Sequence, residues 1–264
     1  MRPVVHIDSS NAFRLRETDG SRVAAFFDLD GTLLPLPSLE RRFVSELRSD
    51  RLIPAGNYLR WLAAAIRLAP RGILHAIHGN KAHLRNVPVR ALSFRQLNFF
   101  PDAVRRVAWH ASQGHSVILV SGTLDFLARQ AALVLTLRLA MRGITAKIGV
   151  CATRAEQSGG RYTGKIIGSA NFAEEKVIAM RRVARENGLE LARCYGYSDS
   201  AHDRWMLGAV GKPAAVNPSP ELRRIAILRH WPIFDWSIDE SAETKAPTEF
   251  DSTFFHGIPS ENVQ

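Results

Sequence analysis

The chain has 264 residues, 46% of them apolar and 23% charged, which is enough apolar material for a large core and too much for a disordered chain. A formal charge of +10 attracts anions of any kind (nucleic acid, acidic lipid, phosphorylated metabolites) without choosing among them. Cys151 and Cys194, outside any CxxC pair, argue against a zinc site or a disulfide framework, and no run nears the roughly 18 apolar residues of a membrane span.

Residues 1–21 read as a polar extension with no apolar centre, so no secretory leader is expected and the cysteines suit a reducing cytoplasm. Val23 to Phe27 is an unbroken apolar run that ends on acidic residues. A run without alternation suits a strand covered on both faces, as in a parallel sheet. Residues 36–98 are helical in pattern and contain no clear strand, so they read as a helical cap inserted after that first strand. Pro101 to Gly114 predicts a helix, with Pro at its start, Gly at its end, and Val104, Val107, Ala108 and Ala111 on one face. Ser116–Val120 is a second strand, ending at Ser121-Gly122-Thr123. Residues 147–169 predict a β-hairpin turning at Ser158-Gly159-Gly160. Phe172 to Asn187 is a helix, Cys194–Tyr197 a third strand ending at Ser198-Asp199, Ala214–Val216 a fourth, and Pro220 to Arg229 a further helix. Residues 238–264 read as a flexible tail. Strands alternating with helices predict an α/β fold with a doubly wound parallel sheet, its core built from residues 22–35 and 99–237.

Ligands of such sheets bind beyond the carboxyl ends of the strands, and here those ends carry chemistry. Asp28-x-Asp30-Gly31-Thr32 follows the first strand, Ser121 the second and Asp199 the third, with Asp203 four residues on; Lys176 lies near the start of the long helix. Phosphoryl transfer needs a nucleophile, a cation for the phosphate oxygens and an acid for the leaving group. Crowded carboxylates repel one another unless a cation sits among them, and oxygen ligands suit Mg²⁺. Asp28 and Asp30 can face one ligand only if the strand breaks, which Gly31 permits. Ser121, read as lying at a helix N-terminus, can donate to a phosphoryl oxygen, and Lys176 adds a compact positive charge. Singly, each is an ordinary turn, junction or solvated helix face; the order and spacing of all of them carry the reading.

Phe27-Asp28-Leu29-Asp30-Gly31-Thr32-Leu33, Val120-Ser121-Gly122-Thr123, Lys176 and Tyr197-Ser198-Asp199-Ser200-Ala201-His202-Asp203 resemble the four signature motifs of the haloacid dehalogenase superfamily. Arg161-Tyr162-Thr163-Gly164 and Gly211-Lys212-Pro213-Ala214-Ala215-Val216-Asn217-Pro218 resemble its phosphoserine phosphatase-like branch, and the likeness covers about residues 23–236. The resemblance implies a Mg²⁺-dependent phosphatase acting through an aspartyl-phosphate. Asp28 would be nucleophile and metal ligand. Asp30 would be general acid/base and would bind the metal through its backbone carbonyl. Thr32 would order the loop, and Ser121, Gly122 and Lys176 would hold the phosphoryl group. Asp199 would ligate the metal, and Asp203 would support it without ligating. Phosphoserine phosphatases usually carry an acidic residue soon after the first motif to bind the substrate amine. Here Leu34-Pro35-Leu36-Pro37 fills that stretch and the first acid is Glu40, a departure from phosphoserine recognition.

The cap should choose the substrate. It is rich in arginine, and Arg85 is its candidate substrate contact. His75, His78 and His83 do not form a credible metal set, because one helical face cannot hold all three. Trp61, Trp109 and Trp205 read as core residues. The expected partner is a small phosphorylated metabolite, with no specific nucleic acid, and the protein is expected to be a monomer or homodimer. The alternatives are a phosphotransferase using the same site, or a basic lipid- or nucleic-acid-binding protein on this fold, with the stretch Leu59–Ala69 as its docking element.

Overall fold

The computed structural model describes residues 22–72, 78–93 and 96–238. The expected N-terminal extension, the tail beyond Ile238, and His75 lie outside them. A seven-stranded sheet has the order β4-β3-β2-β1-β5-β6-β7. Its strands are β1 (Ala24–Phe27), β2 (Ser116–Leu124), β3 (Ile148–Ser158), β4 (Arg161–Ile167), β5 (Tyr195–Ser198), β6 (Lys212–Val216) and β7 (Ile233–Phe234). All neighbours pair in parallel except β3 and β4, the predicted hairpin, whose antiparallel ladder forms one sheet edge. Gly159 and Gly160 turn it with positive φ angles that favour glycine.

The apolar run of β1 is explained by burial on both faces. Ala24 and Phe26 belong to one buried cluster, and Ala25 and Phe27 to another. The first cluster is closed by helices α5 (Glu174–Glu186), α6 (Arg204–Gly208) and α7 (Pro220–Leu228), through Met180, Met206 and Leu222. The second is closed by α3 (Pro101–Ser112) and α4 (Asp125–Ala140), through Val107 and Leu135. Helices therefore cover both faces of the sheet, the doubly wound architecture.

Between β1 and α3 the described chain holds α1 (Leu39–Ser49), α2 (Gly56–Leu68) and short 3₁₀ turns. Ser38 caps α1, its hydroxyl accepting from Arg41 N. α1 buries Leu39, Phe43 and Leu47 in the same cluster as Phe27. Helix α4 gives no one-sided signal in the sequence, because its leucines and alanines surround it; seven of its side chains are buried. Cys194 is buried and its Sγ accepts from Ala24 N, while burial pushes the Cys151 thiol up to about 11; both cysteines are free. Trp109 packs among His110, His115 and Tyr195. Trp205 departs from the core reading: it is 47% exposed, with the Arg204 guanidinium 4.9 Å above its ring.

Candidate active site

The parallel register brings the strand ends to one edge. Phe27 is level with Leu119 of β2 and Tyr197 of β5, so Asp28, Ser121 and Asp199 all follow within two residues of a common line. Asp28 N donates to Tyr197 O at 2.9 Å, continuing the ladder. Immediately afterwards the chain breaks: Leu33 N and Leu34 N both donate to Leu29 O, and Gly31 N donates to Leu34 O. Gly31 has φ of 91°, and a Cβ there would lie 2.2 Å from Asp199 Oδ2. Glycine is thus required both by the turn and by the close approach of the Asp199 carboxylate. Thr32 Oγ1 donates to Asp199 Oδ1 at 3.4 Å, so this hydroxyl tethers two loops rather than facing outward.

Below the loop, Phe27 stacks on Tyr197 with ring centroids 4.5 Å apart, and the Tyr197 hydroxyl lies 2.9 Å from His110 Nε2. Lys176, in the first turn of α5, is 3% exposed. Its Nζ donates to Asp28 Oδ1 at 2.6 Å and to Asp203 Oδ2 at 2.7 Å. Ser198 Oγ donates to the same Asp203 oxygen at 2.6 Å. One ammonium therefore joins two carboxylates 175 positions apart in the chain (28 and 203), both of them buried.

The electrostatics are those of too many carboxylates for one cation. Burial raises the Asp28 carboxyl well above its ordinary value; Lys176 opposes this, while Asp203 and Asp199 add to it. Burial and the Asp203 carboxylate push Asp199 up to about 6, against Lys176 and the Thr32 hydroxyl. Burial would lower Lys176, but Asp203 and Asp28 outweigh it and the ammonium is held charged. Asp30 is also pushed up to about 6 by burial, although its Oδ1 accepts a 2.7 Å bond from Leu39 N at the start of α1.

Ser121 is buried at 2% exposure, and its Oγ accepts from Thr123 N at 3.2 Å. The expected helix N-terminus at Ser121 is corrected. β2 runs on through Leu124, with a register shift against β3 between Ser121 and Leu124, and α4 begins at Asp125. Ser121 pairs with Ala152 and Leu124 with Thr153, leaving Gly122 and Thr123 between them, so the chain bulges rather than turning into helix. Three side-chain hydrogen bonds that the sequence does not announce tie this bulge to its surroundings. Asn171 Nδ2 donates to Ser121 O and Cys151 O, and Thr153 Oγ1 donates to Gly122 O.

Above Gly122 sits His78, stacked on Phe172 at 3.7 Å between centroids; burial and then Lys81 lower its pKa to about 4, so it is neutral. No motif flags His78 or Phe172, because a stacking contact leaves no spacing signature. Glu40 accepts from the buried Lys81 ammonium at 2.5 and 2.8 Å. The first acid after the loop is therefore already paired. Arg85 is not among these contacts. It packs its Cα and Cβ against Gly164 of β4 and lines a separate cleft that includes none of Asp28, Asp30, Ser121, Lys176 or Asp199.

Among the described residues, no three side chains of His, Cys, Asp or Glu converge as a ready-made metal set. The carboxylate donors at this edge are Asp28 and Asp199, the latter reached by the Thr32 hydroxyl. That all-oxygen set, its carboxyls raised first by burial and then by neighbouring carboxylates, fits a hard divalent cation that keeps several waters.

The chain resembles known proteins in both sequence and fold. Residues 25–208 match the family model described as haloacid dehalogenase-like hydrolase. A probable phosphatase of Mycobacterium tuberculosis (strain H37Rv) is 30% identical over 244 residues, covering 86% of this chain and 80% of the relative. A Bordetella pertussis Tohama I protein of unknown function has a solved structure with TM-score 0.63 and 30% identity, covering 82% of this chain and 99% of that one. A phosphoserine phosphatase solved as a phospho-aspartyl intermediate analogue shares the fold, with TM-score 0.55 and 18% identity over 86% of this chain and 99% of that one.

Proposed function

This chain belongs to the haloacid dehalogenase-like hydrolases, and from that membership we propose that it hydrolyses a small phosphate monoester, with Asp28 as nucleophile and Mg²⁺ as cofactor. The observation that carries the reading is the buried Asp28–Lys176–Asp203 bridge at the carboxyl edge of the sheet. A scaffold alone has little use for an ion triad that costs desolvation free energy. Mg²⁺, held by the Asp28 and Asp199 carboxylates and the Asp30 carbonyl, would screen phosphate charge against the nucleophile.

An Asp28 oxygen attacks phosphorus as the P–O bond to the leaving group breaks. Asp30 gives its proton to the departing oxygen, then takes one from the water that attacks the aspartyl-phosphate, freeing inorganic phosphate and regenerating Asp28. A carboxyl pushed up to about 6 by burial supports both halves of that exchange near neutral pH. Lys176, already bonded to Asp28, steers and steadies the phosphoryl oxygens. Ser121, on its bulge, and Gly122 offer donors beside them, while Thr32 steadies the loop. Asp203 fixes the Lys176 ammonium.

Residues 36–98 act as the cap that selects the substrate. The pairing of Glu40 with Lys81 leaves no free acid there for a substrate amine among the described residues, which favours a phosphate ester other than phosphoserine. Asp28→Asn should lower turnover of para-nitrophenyl phosphate with Mg²⁺ by at least about 10³-fold, the order lost when an essential covalent nucleophile is removed. Retained turnover in that variant would refute the assignment. Transfer of the phosphoryl group to an added alcohol in preference to water would identify a phosphotransferase instead.

A further inference from the structure

Helix α2 is amphipathic the wrong way round. Its one buried side chain is polar: Asn57, whose amide donates to His83 O and Arg85 O. Its apolar residues Leu59, Leu62, Ala63 and Ile66 follow the i, i+3, i+4, i+7 spacing of a single helix face, and that face points outward. Leu59 is 73% exposed, Leu62 52% and Ile66 68%. Helix α1 shows the ordinary arrangement, with Leu39, Phe43 and Leu47 buried. A solvent-facing stripe of large aliphatic residues marks an interaction site rather than a structural one.

The charges beside the stripe say what it meets. Arg60 and Arg67, seven residues apart, share one flank of α2 and are exposed. On that flank a cleft of about 640 Å³ opens between α2, the 79–85 segment and β4. Arg60, Arg67, Arg85, Lys165 and the Glu40-paired Lys81 line it, and among the described residues no carboxylate does. Helix α2 itself carries no acidic residue. A second copy docked through the same face would set arginine against arginine. A nucleic acid would leave the aliphatic stripe unused. A surface that is apolar within and anionic at its headgroups complements both features.

We propose that α2 docks this protein on anionic phospholipid bilayers, its Leu59–Ile66 stripe entering the headgroup boundary and the Arg60–Arg67 cleft receiving an anionic lipid headgroup. The docking is independent of the phosphatase reading, because it uses none of the residues at the sheet edge.

The test is co-sedimentation of the full chain with vesicles of phosphatidylcholine alone or mixed with phosphatidylglycerol. Binding should be at least about tenfold stronger to the mixed vesicles and should fall steeply with added salt, since each basic residue near such a surface contributes about fivefold. The double variant L62D/I66D should lose at least about tenfold in binding, while its far-ultraviolet dichroism and urea midpoint stay those of the parent, because both side chains are exposed. R60E/R67E should lose the preference for phosphatidylglycerol. Equal binding to both vesicle types, or variants that bind like the parent, would overturn the proposal. So would a parent protein that ignores vesicles but elutes as a dimer that L62D/I66D splits. A clean monomer that ignores vesicles and binds oligonucleotides through Arg60 and Arg67 would overturn it too.

Discussion

Replacing Lys176 with methionine keeps the length of the side chain and removes its charge, which isolates the work of the ammonium. The parent side chain is 4% exposed and bonds carboxylates that are 8% and 2% exposed. Removing one partner of a buried ion pair costs about 3–5 kcal/mol, because a charge is left buried without compensation. Here two carboxylates are stranded, relieved only in part by the Ser198 hydroxyl on Asp203. The loss should lie at the upper end of that range, a large share of the about 5–15 kcal/mol that holds a typical domain together. The pH dependence is a second reading of the same physics. Asp28 is already raised by burial, and without Lys176 it rises further. A carboxyl whose folded value exceeds its unfolded value takes up its proton first in the folded state, so stability climbs as pH falls toward the unfolded value. The deficit of Lys176→Met should therefore be largest near pH 7 and shrink by pH 5, and added Mg²⁺ should shrink it as well. Urea unfolding followed by tryptophan fluorescence, at both pH values and with and without Mg²⁺, measures all of this. A variant within about 0.5 kcal/mol of the parent at pH 7, the size of an ordinary surface change, would refute the reasoning. So would a deficit that does not narrow on acidification.

Gly31→Ala should reduce turnover by at least about tenfold, because its Cβ would meet Asp199 Oδ2 at 2.2 Å and the site tolerates little displacement; steady-state kinetics with intact far-ultraviolet dichroism would check it. His110 is held neutral by burial, with His115, Arg106 and Lys212 adding to the effect. Below pH of about 6.5 the unfolded chain binds a proton there that the folded chain refuses, so stability is full above that value and falls with acidification, by at most about 1.4 kcal/mol per pH unit. Asp30 and Asp199, both near 6, act in the opposite sense between about 6 and 4, so the readout is a difference: His110→Gln should lose less stability than the parent between pH 7 and pH 5. Identical slopes for the two proteins would rule the histidine out.

Much of this architecture is local and can be read directly from the residues. An unbroken apolar run implies a strand covered on both faces, and β1 is covered on both. Gly159-Gly160 implies a hairpin turn, Pro101 and Pro220 imply helix starts, and Asp28-x-Asp30-Gly31 implies a strand that must break. Each follows from backbone sterics or from a period within a few residues, which a single sequence exposes. The order Asp28, Ser121, Lys176, Asp199, Asp203 is equally legible, since each follows an apolar run or opens a helix in the sequence pattern, although Ser121 itself lies inside β2, at its bulge.

What the sequence leaves open is long-range. That the Lys176 ammonium spans Asp28 and Asp203, that Glu40 is neutralised by Lys81, and that Asn171 holds the Ser121 bulge are pairings across 27 to 148 residues. No periodicity encodes them, because the partners meet only when the strands reach a common edge. Helix α2 is the sharpest case. Its apolar spacing alone predicts a face turned inward, and only the packing of Asn57 on the 83–85 carbonyls turns that face to solvent.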